Sequence, residues 1–109
     1  MTVQELVQAL SCEVLSLPDP QKEIQGAYAG DLLSWVMGRA EEGNVWATIM
    51  TNNNVLAVAT LINISCVIIC ENSEIEPQTV ALAEAKEVNL LRTPMTVYQT
   101  CVALSELCL

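Results

Sequence analysis

Apolar positions at the start of the chain fall on helical spacing. Val3, Leu6, Val7 and Leu10 form one stripe behind Thr2-Val-Gln-Glu5, a capping box, and together they predict a helix over 2–10. Cys12 to Leu17 alternates with one shift and reads as a strand. Pro18-Asp19-Pro20 ends it, because proline donates nothing to a ladder. Ile24 to Ala29 reads as a second strand, weakened by Gly26. The linker between the two is shorter than the dozen or more residues a parallel crossover needs, so a hairpin is expected there.

From Asp31 onward strands and helices alternate. Asp31 is the expected N-cap of a helix from Leu32 to about Ala40, and Glu41-Glu42-Gly43-Asn44 reads as an exposed turn after it. Val45 to Met50 is nearly continuous in apolar residues, as is Cys66 to Cys70. Runs of that kind suit parallel strands covered on both faces. Between them Asn52 or Asn53 should cap a helix over about 54–63 that carries only Thr60 as a polar residue from Val55 to Ile62. A helix apolar all round is buried on more than one side. Either it packs inside a three-layer fold, or its outer face, with Val55, Val58, Leu61 and Ile62 as candidates, meets a second copy.

Glu71-Asn-Ser-Glu74 reads as a loop, and Pro77 suits the first turn of a helix over 77–88. Leu90 to Arg92 is a short strand. Thr93-Pro94 reads as N-cap and first residue of a last helix, with Val97, Cys101, Leu104 and Cys108 on its core face. The alternation predicts one α/β domain over 1–109, a layered α/β/α fold around a mainly parallel or mixed sheet of about five strands.

Composition narrows the function classes. Hydrophobic residues make up 52% and charged residues 16%, which excludes a disordered chain. Four Lys and Arg stand against thirteen Asp and Glu, a net charge of −9. The basic residues Lys22, Arg39, Lys86 and Arg92 are scattered, so the cationic footprint that nucleic acid requires is missing. The same acidity opposes binding to anionic membranes. The longest apolar runs are too short to span a bilayer, and the N-terminus lacks the basic start and long apolar core of a signal peptide. Five cysteines, an odd number with no Cys-x-x-Cys, point to free thiols in a reducing cytoplasm.

The chemistry is sparse. Without histidine the chain has no His-based triad and no imidazole base. It has neither a phosphate-binding P-loop nor a dinucleotide glycine fingerprint. Cys66 and Cys70 lie four apart on a strand, roughly 13 Å by strand rise, too far to share one metal. No metal or cofactor is expected, and the thiols read as core residues. The turns are the candidate chemistry. In open α/β sheets ligands bind outside the carboxyl ends of strands, where helix starts present free N–H groups. Those ends place Gly30, Asp31, Thr51, Asn52, Asn53, Arg92 and Thr93 as candidate ligand contacts, with Arg92 adding charge and Asp31 selecting a hydroxyl or amine. Plain helix capping explains the same Asp, Asn and Thr residues.

Gly26-Ala-Tyr-Ala-Gly30-Asp31-Leu-Leu-Ser-Trp-Val-Met-Gly38, followed by Gly43-Asn-Val-Trp-Ala-Thr-Ile49, resembles the DRTGG domain family. Val55 to Ala59, Cys66 to Ile69 and Leu90 to Pro94 fit the same family pattern, so the likeness runs from about Cys12 to Leu107. The family is similar to the N-terminal domain of HPr kinase/phosphorylase. It also occurs joined to CBS domains and inside long phosphotransacetylases. The resemblance implies an α/β fold, a regulatory or sensory role, a tendency to associate, and catalysis located in other domains. The chain departs from the name-giving Asp-Arg-Thr-Gly-Gly, with Cys70-Glu-Asn-Ser-Glu74 near the matching loop.

The leading expectation is a non-catalytic regulatory module that forms a homodimer and binds a protein partner or a small ligand. A second reading is a binding domain for a nucleotide or other phosphorylated, anionic metabolite at the strand-end edge. A third is an enzyme using Asp31 or a turn glutamate as an unfamiliar acid–base group.

Overall fold

The computed structural model describes residues 1–109. Helix α1 (Val3–Leu10) leads into β1 (Glu13–Ser16), and β2 (Ala27–Ala29) follows after a ten-residue excursion. Then come α2 (Leu33–Arg39), β3 (Val45–Thr48), α3 (Asn53–Ile62), β4 (Cys66–Ile69), α4 (Pro77–Ala85), β5 (Leu90–Arg92) and α5 (Val97–Glu106). The five strands form one sheet in the order β1-β5-β4-β3-β2, parallel except for β1, which runs antiparallel to β5. The expected α/β/α layering and mixed sheet are therefore present.

Strand alternation divides the core in two. Trp46, Val67, Ile69 and Leu90 point toward α2, α3 and α4, where Val36, Val55, Leu56, Val58, Ala59 and Ala83 meet them. Val45, Ala47, Cys66, Ile68, Cys70 and Leu91 point to the other face, against Val3 and Leu6 of α1 and Leu104 of α5. The apolar runs in β3 and β4 are thus explained by burial on both sides. The all-apolar α3 is explained by its neighbours: the sheet lies beneath it and α2 and α4 lie beside it. Its outward stripe is mostly short, with Ala57 and Thr60 exposed, and Leu61 is the one large apolar residue left in solvent. No helix is long and apolar enough to cross a membrane.

The expected hairpin does not form. β1 and β2 occupy opposite edges of the sheet. The linker between them crosses the edge where β3, β4 and β5 begin. It pairs with the N-terminal residues: Thr2 bridges Glu23, Val3 N–H donates to Lys22 O (3.1 Å), and Ile24 N–H donates to Met1 O (2.9 Å). Three buried polar side chains, each directly before a strand, hold it there. Asn44 Nδ2 donates to Gln25 O (2.6 Å), Ser65 Oγ donates to Glu23 O, and Asn89 Nδ2 donates to Asp19 O (2.7 Å) while its Oδ1 accepts from Asp19 N–H (3.0 Å). A short linker can join distant edges because it runs straight across the end of the sheet rather than over a face. The same packing buries Gly43 and Asn44, which the sequence reading had placed in an exposed turn. Gly43 is at φ +83°, a left-handed geometry in which a side chain is strained.

The helix starts differ from expectation at two places. The N-cap of α2 is Leu32, which offers no side-chain cap, and the Asp31 carboxylate is turned to β3 instead. α5 is capped by Thr96 in a capping box with Gln99, not by Thr93, so its buried residues are Thr100 and Leu104. Val97 and Cys101 are half-buried and Cys108 is exposed beyond the helix end. The expected caps at Thr2 and Asn52 are both made.

Candidate ligand-binding site

Strands β2 to β5 follow one another across the sheet in sequence, each joined by a helix on the same face. No reversal of strand order occurs among the parallel strands, so no crevice opens between them of the kind found at a topological switch point. The depression at the carboxyl ends forms instead between the starts of α3 and α4. It is an open cleft of about 710 Å³ lined by Ile49, Met50, Thr51, Asn52, Asn53, Glu76, Gln78 and Thr79.

Local chemistry fixes both helix starts. Asn52 Oδ1 accepts from Asn54 N–H (2.9 Å), which orients the first turn of α3. Pro77 sets the first residue of α4, whose flanking Glu76 makes no side-chain cap. Thr79 Oγ1, buried, donates to Asn53 Oδ1 (2.7 Å) and ties the two starts together. The backbone N–H groups of Asn53 and Gln78 carry no bond within the chain and belong to the positive ends of two helix dipoles. Glu76 is the only ionisable residue lining the cleft. The arrangement can hydrogen-bond a polar or anionic ligand, and it contains no nucleophile paired with a base.

Of the candidate contacts, the fold brings Thr51, Asn52 and Asn53 into this cleft and leaves the other four outside it. Asp31 Oδ1 accepts from Thr48 Oγ1 (2.8 Å) and from Ile49 N–H (3.0 Å), a structural brace between the ends of β2 and β3. Gly30 sits beneath the Tyr28 ring, where an added Cβ would lie 3.1 Å from Cε2, and its carbonyl accepts from Trp46 Nε1 (2.9 Å). Arg92 turns away to β1. Its Nε and Nη2 grip both oxygens of Glu13 at 2.9 and 3.1 Å. Those bonds hold the exposed Glu13 carboxyl below its usual range and raise the guanidinium further. Thr93 is buried and its Oγ1 accepts from Met95 N–H.

Sequence reasoning missed Glu76, Gln78 and Thr79. Pro77 had marked a helix start at the same sheet edge, and pairing the two starts would have found them. Of the four interface candidates, Val55 and Val58 are buried by this chain's own core, Ile62 is half-buried, and Leu61 is exposed. No group of three or more His, Cys, Asp or Glu side chains converges to hold a metal ion.

The DRTGG domain pattern matches residues 5–107. The chain belongs to the DRTGG domain family. No curated protein sequence matches it. Among solved structures it is similar to the CBS and DRTGG domains of the regulatory region of Clostridium perfringens pyrophosphatase, determined in complex with the activator diadenosine tetraphosphate. The TM-score is 0.69 at 12% identity, over 94% of this chain and 45% of that one. The likeness establishes the fold, and this DRTGG domain spans less than half of that neighbour. In the loop after β4, Glu71 and Asn72 both adopt left-handed backbone, at φ 58° and 49°. Their N–H groups donate to Met95 O (2.8 Å) and Thr93 O (3.0 Å). Glycine adopts that geometry without strain, and here two non-glycine residues hold it.

Proposed function

We propose that this DRTGG domain is a non-catalytic regulatory module that binds a small phosphorylated ligand, a nucleotide first among the class, between the starts of α3 and α4. The observation that carries the reading is the convergence of two helix N-termini, with uncommitted N–H donors, on one polar cleft at the carboxyl ends of the strands. The structural neighbour supports the class, since its regulatory region was determined in complex with a dinucleotide activator. Thr51, Asn52, Asn53 and Gln78 supply neutral hydrogen-bonding groups for base or sugar. Phosphate oxygens are held by backbone N–H rather than by lysine or arginine, so affinity is modest and depends weakly on salt compared with a cationic site.

Thermal melting across a panel of nucleotides and phosphorylated metabolites tests this. A ligand at ~100-fold its Kd adds about 2.7 kcal/mol, which raises the Tm of a domain this size by roughly 10 °C. Glu76→Gln removes the one carboxylate at the cleft and should tighten a phosphorylated ligand about three- to tenfold. Gln78→Glu should weaken it by a similar factor. A panel in which nothing moves the melt contradicts the reading, as does a ligand whose affinity ignores both substitutions.

A further inference from the structure

The two edges of the sheet are built differently. At β1 the edge is guarded by a register shift between Val14 and Ser16, by the charged pair Glu13–Arg92, and by prolines at 18 and 20. At β2 none of these devices is present. Gly30 N–H donates to Ala47 O and Gly26 O accepts from Val45 N–H, so Gly26, Tyr28 and Gly30 face β3. By alternation the N–H and C=O groups of Ala27 and Ala29 point away from the sheet, unpaired. Apolar surface continues from this edge in both directions. On one side Leu32 and Trp35 are 60% and 55% exposed, with Arg39 stacked 4.0 Å over the Trp35 ring. On the other, Cys101, Leu104 and Leu109 line a shallow apolar depression of about 200 Å³ against Ala27 and Ala29.

We propose that β2 pairs antiparallel with β2 of a second copy of this chain, with Tyr28 on the two-fold axis, joining two sheets into one. Three observations select a second copy as the occupant. The outward groups of Ala27 and Ala29 form a self-complementary set: Ala27 of one copy meets Ala29 of the other and exchanges both hydrogen bonds, and the reverse pair does the same. The stretch Gly26–Gly30 holds no charged residue in a chain of net charge −9, so two copies approach here without opposing carboxylates. The same register sets Asp31 opposite Gln25 of the second copy rather than opposite another Asp31. Tyr28 then faces its symmetry mate across a close, non-hydrogen-bonded pair. The surface is separate from the α3–α4 cleft, so this proposal stands or falls independently of the ligand reading.

Sedimentation of the full chain, read with amide hydrogen exchange, tests it. The wild type should be a dimer at low micromolar concentration, with Ala27 and Ala29 amides gaining protection as concentration rises. Ala29→Lys should raise the dimer dissociation constant about a hundredfold while leaving the β2–β3 bonds intact. Ala29→Pro removes an N–H that β3 does not use, and serves as the second blocking variant should the lysine variant fail to fold. Leu61→Glu, on the outer face of α3, should leave the dimer unchanged. A monomeric wild type overturns the proposal. So does a dimer that survives a folded β2 variant, one that is lost on Leu61→Glu, or Ala27 and Ala29 amides that exchange freely in the dimer.

Discussion

Cys12, Cys66 and Cys70 share one face of the sheet beneath α1 and α5, and burial pushes all three thiols up, Cys12 to about 11. Cys70 also donates to Thr100 Oγ1 (3.4 Å). These are groups the fold holds neutral. Their folded pKa lies above the ordinary 9.0, so the stability they contribute is fully present below pH 9. It is lost as pH rises toward 11, because only the unfolded chain then releases their protons. Melting temperature should therefore fall between those values. Cysteine-specific labelling at neutral pH should modify the exposed Cys108 readily and the half-buried Cys101 more slowly, leaving the three core thiols unreacted until unfolding. Fast labelling of Cys12 or Cys66 would contradict the packing of that face.

Elements that carried their own punctuation were legible in the sequence. Thr2 and Glu5 announced α1, Pro77 announced α4, and unbroken apolar runs announced β3 and β4. The path between β1 and β2 was not legible, because what fixes it is tertiary. Asn44, Ser65 and Asn89 look like ordinary turn residues until their side chains are seen to clamp a remote segment. Asn89 makes three such bonds, to Asp19 N–H, Asp19 O and Ser65 O. Asn89→Ala leaves those backbone groups unpaired at a buried position, and should cost about 2–4 kcal/mol. That corresponds to a Tm lower by roughly 10–20 °C. A surface-like change within about 0.5 kcal/mol would mean that Asn89 is not needed, and that Asn44, Ser65 and the backbone pairing with Met1–Gln4 hold the linker without it. Asp31 illustrates the opposite failure. Its residue type is right for a helix cap, yet two donors at the end of β3 compete for the same oxygen and win.

At the scale of the whole molecule, a sheet wound in one direction puts α2, α3 and α4 together on one face, and the neighbouring starts of α3 and α4 become the polar mouth at the strand ends. Of the seven candidate contacts read from the sequence, Thr51, Asn52 and Asn53 are the three that line this mouth. The remaining candidates fall at the ends of β2 and β5, because helix order on a face follows from topology and not from turn composition. The same topology leaves β2 as a bare edge far from β1 and makes the two proposed contacts, ligand and second copy, spatially separate. Amide chemical-shift mapping during titration with the nucleotide that most raises the melting temperature tests binding at the α3–α4 cleft residue by residue. The perturbed amides should cluster at Thr51–Asn54 and Gln78–Thr79, with Gly26–Gly30 unmoved. Perturbations centred on Glu71–Asn72, on the β2 edge, or spread without a cluster would contradict binding at that cleft.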